Sequence, residues 1–297
     1  PSTGAVTGFY TENQSWGLAA VEMARLRRDT WRLRGLITHA EVNYDFYGIG
    51  EAAGEAGLSV ALAQTMDFAV GSAHYRLKPG LYGGLSLTWI HTRAALQDDH
   101  GLANPPGDED LATANLLAPG LQAEFDTRDD DYWPTRGSIA VARASFFSTG
   151  LGSARDFQRY MATWSWYSTL RGPALVLATN LNAARAAGDV PFWAIPSVGA
   201  GRYGLRGYTQ GRYRDGLVTT AQAELRAHTA GRWGATVFGG LAQVAPDVGG
   251  LGSARGLPAG GAGARFQLAR RYPMHMRADY AWGRNGGLFY FSVVEAF

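Results

Sequence analysis

The 297-residue chain contains no cysteine, so it carries no disulfide staple; that absence fits an envelope protein and a cytoplasmic one equally and does not by itself set the compartment. Charge is scarce as well. Only 18% of residues are Asp, Glu, Lys or Arg and the formal net charge is +2, which argues against nucleic acid as a partner. No window approaches the roughly 20 consecutive apolar residues that a membrane-crossing helix needs, and a helical membrane protein is excluded. Signals of chemistry are missing too. The six histidines, at positions 39, 74, 91, 100, 228 and 275, have neither metal-ligand spacing nor a neighbouring nucleophile pattern, so no enzyme activity, metal or cofactor is expected. Asp98, Asp99, Asp108, Glu109 and Asp110 make a run that reads as a solvated charge cluster rather than a calcium site.

What the chain has is glycine, 40 residues of it, and aromatics: Trp 9, Tyr 14 and Phe 13. It also has alternation of period two. From Val218 to His228 the even positions Thr220, Gln222, Glu224, Arg226 and His228 are polar, while Ala221, Ala223, Leu225 and Ala227 between them are apolar. Around Pro273 to Trp282, His275, Arg277 and Asp279 oppose Met274, Met276, Tyr280 and Trp282; in the stretch 159–171, Arg159, Thr163, Ser165, Thr169 and Arg171 oppose Tyr160, Ala162, Trp164, Trp166 and Leu170. A soluble antiparallel sheet also alternates. Segment length separates the two readings, because several segments run past the roughly 5–6 residues usual for soluble strands and reach the about 9–11 tilted residues that span a bilayer.

Alternating segments set against turns give 4–11, 15–27, 30–46, 58–77, 81–94, 111–127, 136–149, 154–171, 173–187, 216–229, 233–244, 258–271, 273–283 and 287–297. The fold class expected is all-β, a transmembrane antiparallel barrel of about fourteen strands, within roughly twelve to sixteen. Short connectors at 78–80, 171–173 and 230–232 alternate with long ones at 47–57, 95–110, 188–215 and 245–257, as they do when short turns are periplasmic and long loops extracellular. Trp16, Trp31, Trp89, Trp133, Trp193 and Trp282 fall at segment ends, where an aromatic girdle would sit. Arg32 and Arg34 share one parity and His39, Glu41 and Asn43 the other, which predicts a bulge near Gly35. The last segment, GLFYFSVVEAF, puts Phe289, Phe291, Val293 and Phe297 on one parity and ends on an aromatic, a pattern similar to the C-terminal signal by which outer-membrane barrels are recognised for assembly.

One loop fits none of these strands. Residues 201–216 read GRYGLRGYTQGRYRDG, with four arginines, three tyrosines and five glycines. Its Leu205-Arg206-Gly207-Tyr208 resembles the Arg-Gly-aromatic motif on the inward-folded loop of BamA/TamA-like barrels, the bacterial surface antigen family. The neighbours occur in matching order: Asp126-Thr127-Arg128-Asp129 with Pro134 and Gly137 as a structural turn, then Glu224-Leu225-Arg226, Gly261-Ala262-Gly263-Ala264-Arg265-Phe266 and Arg277-Ala278-Asp279, with Phe46-Tyr47-Gly48-Ile49-Gly50 in the amino-terminal half. The resemblance implies a long extracellular loop folded into the lumen, with Arg206 meeting Glu224 or another lumen acid among Glu224, Arg226, Arg277 and Asp279, and Tyr208 beside it. A planar multi-donor guanidinium suits that position, where solvation is reduced. Arg202, Arg212 and Arg214 read as outer loop decoration.

Two departures stand against the family pattern. The segment Phe238-Gly239-Gly240-Leu241-Ala242 lacks the aspartate expected after its phenylalanine, so one partner of the arginine is missing. The strand count also falls one hairpin short of the family's usual barrel, after Arg28. Residues 1–297 are expected to form a single barrel domain with no soluble N-terminal domain in this chain. The function implied is insertion or transfer of protein or lipid at the bacterial outer membrane through a weak seam between the first strand, near Gly4 to Thr11, and the last. The partners implied are outer-membrane lipid, the barrel assembly machinery for the chain's own insertion, a protein or lipid cargo and a separate periplasmic partner. A plugged channel or a membrane anchor is the competing reading, since fold does not fix function.

Overall fold

The structure is a computed structural model that describes residues 2–98, 101–102, 113–171, 174–199, 204–268, 274–293 and 295–297. Residues Asp99, His100, Asp108, Glu109, Asp110, Arg202 and Pro273, named above, and Gly172 and Pro173 of the 171–173 connector lie outside the described residues. Fourteen strands follow one another: β1 (Ser2–Tyr10), β2 (Trp16–Leu26), β3 (Trp31–Phe46), β4 (Val60–Lys78), β5 (Leu81–Asp98), β6 (Thr113–Asp126), β7 (Gly137–Phe147), β8 (Phe157–Thr169), β9 (Leu175–Gly188), β10 (Leu217–Ala230), β11 (Trp233–Ala245), β12 (Leu257–Gln267), β13 (His275–Gly283) and β14 (Gly286–Val293). A short helix, α1 (Glu51–Ala56), follows β3. Each strand pairs antiparallel with its neighbours in sequence to make one sheet, and the two residues Gly101–Leu102 pair back onto β5. No helix among the described residues is long and apolar enough to cross a membrane; the strands are the elements with membrane-spanning length.

The two faces of the sheet follow from the alternation. On the outer face stand Ile37, Leu85, Leu87, Trp89, Trp164, Val237, Trp282, Phe289 and Phe291, all exposed. The inner face holds the buried polar groups, among them Glu124, Asn180, Gln222, Glu224, Arg226, Arg265 and Asp279. An inside-out distribution of this kind, with apolar groups outward and charges inward, is what lipid outside and a polar lumen inside select. Apolar clusters occur inside as well, where loops pack on the wall: Val198, Leu205, Tyr208, Tyr213, Val218, Ala242, Val244 and Leu257 form one.

Three expectations are corrected by this arrangement. The ladders across Gly35 run without interruption, Glu22 facing Gly35 and Gly35 facing Gly71, so no bulge lies there. Arg32 and Arg34 face the lumen. His39 and Glu41 lie on the outer face, where His39 Nδ1 contacts Asp67 Oδ1 at 2.6 Å and Trp16 Nε1 donates to Glu41 at 3.0 Å; local pairing satisfies the polar groups that the parity argument assigned to a bulge. Second, Trp133 and Trp193 are not girdle residues. Trp133 is buried with its ring 4.0 Å from that of His275, and Trp193 packs on the inner cluster of Ile90, Leu116 and Phe157. Third, β14 ends at Val293, and Phe297 leaves the face of Phe289, Phe291 and Val293. Phe297 turns inward, buried with Tyr167 and Ala178, because its backbone oxygen and the preceding Glu295 find arginine partners there.

The sheet has two free edges. β1 pairs only with β2 and β14 only with β13, and among the described residues no ladder joins β1 to β14. All nine residues of β1 are exposed.

Candidate functional site

The connection from β9 to β10 folds back into the lumen. Val198 N–H donates to the Tyr213 carbonyl at 2.8 Å, and Ser197 and Arg214 form an isolated bridge, so the two limbs of the loop brace each other. At its tip Leu205, Arg206 and Tyr208 are all buried. Tyr208 Oη donates to the Pro258 carbonyl at 2.7 Å and its ring meets Tyr213 edge-on at 5.5 Å. Gly207 N–H donates to Tyr290 Oη at 2.9 Å, which ties the tip to the last strand.

Arg206 carries the geometry of the site. Its Nη1 donates to Asp279 Oδ2 at 2.6 Å and its Nη2 to Glu224 Oε2 at 2.5 Å, while the guanidinium carbon lies 3.5 Å from the centroid of the Phe238 ring. The aspartate missing after Phe238 is thus replaced: Asp279 accepts the second donor and Phe238 itself supplies a stacking face. The two acids are shared with the wall. Glu224 Oε1 accepts from Arg226 at 2.9 Å and from Arg265 at 3.3 Å; Asp279 accepts from Arg265 at 2.5 Å and from Arg277 at 3.2 Å. Glu295, from the inturned chain end, accepts from Arg265 Nε at 2.9 Å, and Arg226 Nη2 donates to the Phe297 carbonyl at 2.9 Å. Gly263 makes room for this: a Cβ there would lie 1.9 Å from Asp279 Oδ1. One buried network therefore holds the loop tip, three wall strands and the end of the chain.

The turn between β6 and β7 closes the same space from the opposite end. Arg128 donates to both oxygens of Asp126, at 3.0 and 2.8 Å, and Asp129 accepts from Thr135 N–H at 2.9 Å and Arg136 N–H at 3.1 Å. Partial burial would raise the Asp129 carboxyl; the hydrogen bonds from Thr135 and Arg136 outweigh it and hold the group below its ordinary value. Gly137 is left-handed, φ 91°, and a Cβ there would lie 2.2 Å from the Thr127 carbonyl oxygen. Pro134 and Trp133 are buried, and Trp133 and Tyr167 each lie 5.7 Å from the Arg226 guanidinium.

A lid closes the loop end. Gly50 N–H donates to the Arg214 carbonyl at 2.7 Å and Arg212 Nε donates to the Gly54 carbonyl at 3.0 Å. Phe46 and Tyr47 lie under the Arg214 and Arg212 guanidinium groups at 5.0 and 5.4 Å. Glu55 of α1 accepts from Arg284 and from Tyr213 Oη; the Arg284 hydrogen bond holds its carboxyl below the ordinary value. Arg214 is a buried structural group rather than outer decoration, because its Nη1 is consumed by the Phe192 carbonyl at 3.0 Å.

Sequence reasoning named Arg206, Glu224, Arg226, Arg277 and Asp279, which the structure places in one network, but missed Arg265 and Glu295, which join it. It also missed a second cluster on the facing wall. There Glu124 receives Arg32 at 2.7 Å and Arg34 at 2.6 Å, and Asp29 receives Arg32 at 2.6 Å and Tyr82 Oη at 2.6 Å. The shared parity of Arg32 and Arg34 was the available signal. Asp29 sits in a tight turn with Arg27 and Arg28, all three left-handed, and the hydrogen bond from Arg32 lowers its carboxyl to about 2. Among the described residues no group of histidines and carboxylates could hold a metal ion.

A single sheet of strands with an apolar outer face, a charged inner face and an arginine-bearing loop bound inside defines the class, a transmembrane β-barrel of the outer-membrane type. The Omp85 superfamily domain matches residues 10–297, and the chain belongs to that superfamily. No curated protein matches it. Among solved structures, BamA from Haemophilus ducreyi lacking POTRA domains 1–3 is similar over 98% of this chain and 66% of its own, with a TM-score of 0.64 at 14% identity. CdiB from Escherichia coli is similar over 98% of this chain and 56% of its own, TM-score 0.64 at 11% identity. CdiB from Acinetobacter baumannii is similar over 94% and 50%, TM-score 0.59 at 12% identity. At these identities the likeness is one of fold, and the chain spans between half and two thirds of the length of these structures.

Proposed function

We propose that the barrel inserts or transfers a protein or lipid at the outer membrane through the seam between β1 and β14, without enzymatic chemistry. The observation that carries this reading is the pair of unjoined edges. β1 and β14 each have one ladder partner, so the backbone groups along the seam are available to a strand that arrives from elsewhere. In lipid an unpaired backbone group costs several kcal/mol, on the order of the values for burial without a hydrogen bond, so an edge of this kind favours an incoming partner. The filled lumen supports the same route: with loop, lid and turn inside, the wall rather than the pore is the open path. The partners in this reading are the cargo, outer-membrane lipid, the assembly machinery that inserts the barrel itself, and a periplasmic protein that delivers cargo.

The filled lumen also favours a second reading, a plugged channel or anchor, and one experiment separates them. Val6 and Val293 both point outward from the two edge strands, and the chain has no native cysteine. Cysteines at 6 and 293 and at neighbouring registers are oxidised in cells until a crosslink forms. A reversible defect in outer-membrane composition on locking supports transfer through the seam; normal function with the seam locked sinks it and leaves the plug or anchor.

A further inference from the structure

Four carboxylates in described strands point outward from the barrel: Glu22, Glu41, Asp45 and Asp67. Three have partners. Glu41 accepts from Trp16, Asp45 from Ser59 and Asp67 contacts His39. Glu22 has neither a hydrogen bond nor an ion pair among the described residues, and it sits on the apolar side of β2, four residues from the turn-end Leu26, roughly 10 Å along a tilted strand. An ionisable side chain toward lipid is costly and calls for a named partner.

Its surroundings are unusual. Gly4, Gly35 and Gly71 lie level with Glu22 on successive strands, β1, β3 and β4. A side chain at Gly35 or Gly71 would meet nothing within 4 Å. With Ala20 and Ala69 they floor an outer groove of about 640 Å³, with exposed Val6 and Ile37 standing beside it. The carboxylate leans toward the free edge, so that a Cβ on Gly4 would lie 2.5 Å from Glu22 Oε2. A strand added to β1 would run one strand beyond Gly4 and so about 10 Å from β2, two strand spacings. The length of a lysine or arginine side chain covers that gap only where the intervening residue has no side chain, and Gly4 has none. The barrel's own last strand does not supply the cation. The outward residues of β14 are Gly287, Phe289, Phe291 and Val293.

We infer that Glu22, reached across Gly4, is a specificity-determining site for a membrane-embedded β-strand of another protein that pairs with β1 and carries an outward lysine or arginine. Charge complementarity and continuity with the free edge fix the occupant's chemistry. This rests on the reading of β1 as a strand-accepting edge and adds which strand it prefers.

The test uses the whole chain in nanodiscs of phosphatidylcholine and phosphatidylglycerol, with Gly71→Cys carrying an environment-sensitive fluorophore at the far side of the groove. The probes are two alternating peptides of about ten residues, a membrane-strand length, with apolar outward positions; one has a central outward lysine and the other norleucine. The lysine peptide should bind about tenfold more tightly, the effect of one polar contact in an apolar setting. Glu22→Gln should erase the preference, and Gly4→Leu should erase it with Glu22 in place, both variants keeping the heat-modifiable gel mobility of a folded barrel. Equal binding of the two peptides overturns cation recognition and leaves the seam reading standing. Binding of neither peptide overturns both. A signal that follows added phosphatidylethanolamine and ignores the lysine peptide also overturns the proposal, because the occupant is then a lipid ammonium group.

Discussion

Glu224 and Glu22 are the same side chain on two strands of one sheet, and they live in opposite worlds. Glu224 is completely buried on the inner face and meets three arginines. Glu22 is exposed on the outer face and meets none. The carboxylate of Glu224 is a structural group because removing it strands cations that have no water to return to. That of Glu22 is an exposed surface group with no hydrogen bond or ion pair among the described residues. The comparison teaches where the barrel is finished and where it is not: across the β10–β13 wall every buried charge meets an opposite one, whereas the β1–β2 hairpin is left with an open edge and an open charge.

The comparison breaks most visibly at the inner site. Glu224→Ala should destabilise the barrel by about 3–5 kcal/mol, the usual cost of breaking a buried ion pair from one side, whereas Glu22→Ala should change stability by less than about 1 kcal/mol or raise it slightly. Thermal loss of heat-modifiable mobility compares the two directly. Arg206→Ala comes next. It removes two ion pairs and a stacked ring, so about 2–4 kcal/mol is expected, and the loop should become open to added protease from the loop end; Arg206→Lys keeps the charge, loses the planar fork and should recover only part of the protection.

Smaller effects sharpen the contrast between strained turns and satisfied ones. Gly137→Ala forces a side chain into a left-handed position against the Thr127 carbonyl and should cost about 1–3 kcal/mol. The Asp29 turn gives a pH signature. Its folded value, about 2, lies below the ordinary carboxylate value of 3.8, so its contribution is fully present above about pH 4 and is lost as pH falls toward about 2. Hydrogen exchange at residues 27–30 should rise across that window, and Asp29→Asn should remove the dependence. Smallest is Glu55→Gln in the lid, an exposed pair with Arg284 expected to be worth less than about 1 kcal/mol, visible only as altered loop mobility.

Much of this fold was legible in the chain because alternation reports which side of a sheet a residue faces, and lipid outside makes that report unambiguous over long strands. The fourteen segments follow from it, whereas the inward loop followed from the resemblance carried by Leu205-Arg206-Gly207-Tyr208. Alternation carries no information where residues leave the ladder. Phe297 shares parity with Phe289, Phe291 and Val293, yet beyond Val293 the strand has ended and Glu295 and Phe297 go to Arg265 and Arg226 instead. Trp133 and Trp193 are aromatic and near strand ends, but their turns fold inward. Gly35 shows the opposite error, in which polar residues satisfied by local pairing mimicked a register slip. At the site, Asp279 was legible as a charge on the lumen parity, while its exchange with the missing aspartate after Phe238 was not, since that depends on distances between strands far apart in sequence. Glu22 was likewise hidden: its loneliness is a property of three neighbouring strands.

The loop's anchors share a direction along the chain. Arg206 binds Glu224 18 residues later and Asp279 73 residues later, and the lid contact from Glu55 reaches Arg284 across 229 residues. Closing segments of that length is slow relative to pairing adjacent hairpins. The arginine tip can therefore dock only after β13 is in place, and the lid only after the last turn has formed. A fully bound tip thus requires β13 through Asp279 and β14 through Tyr290, and a half-built barrel should be recognisable by a loop still outside.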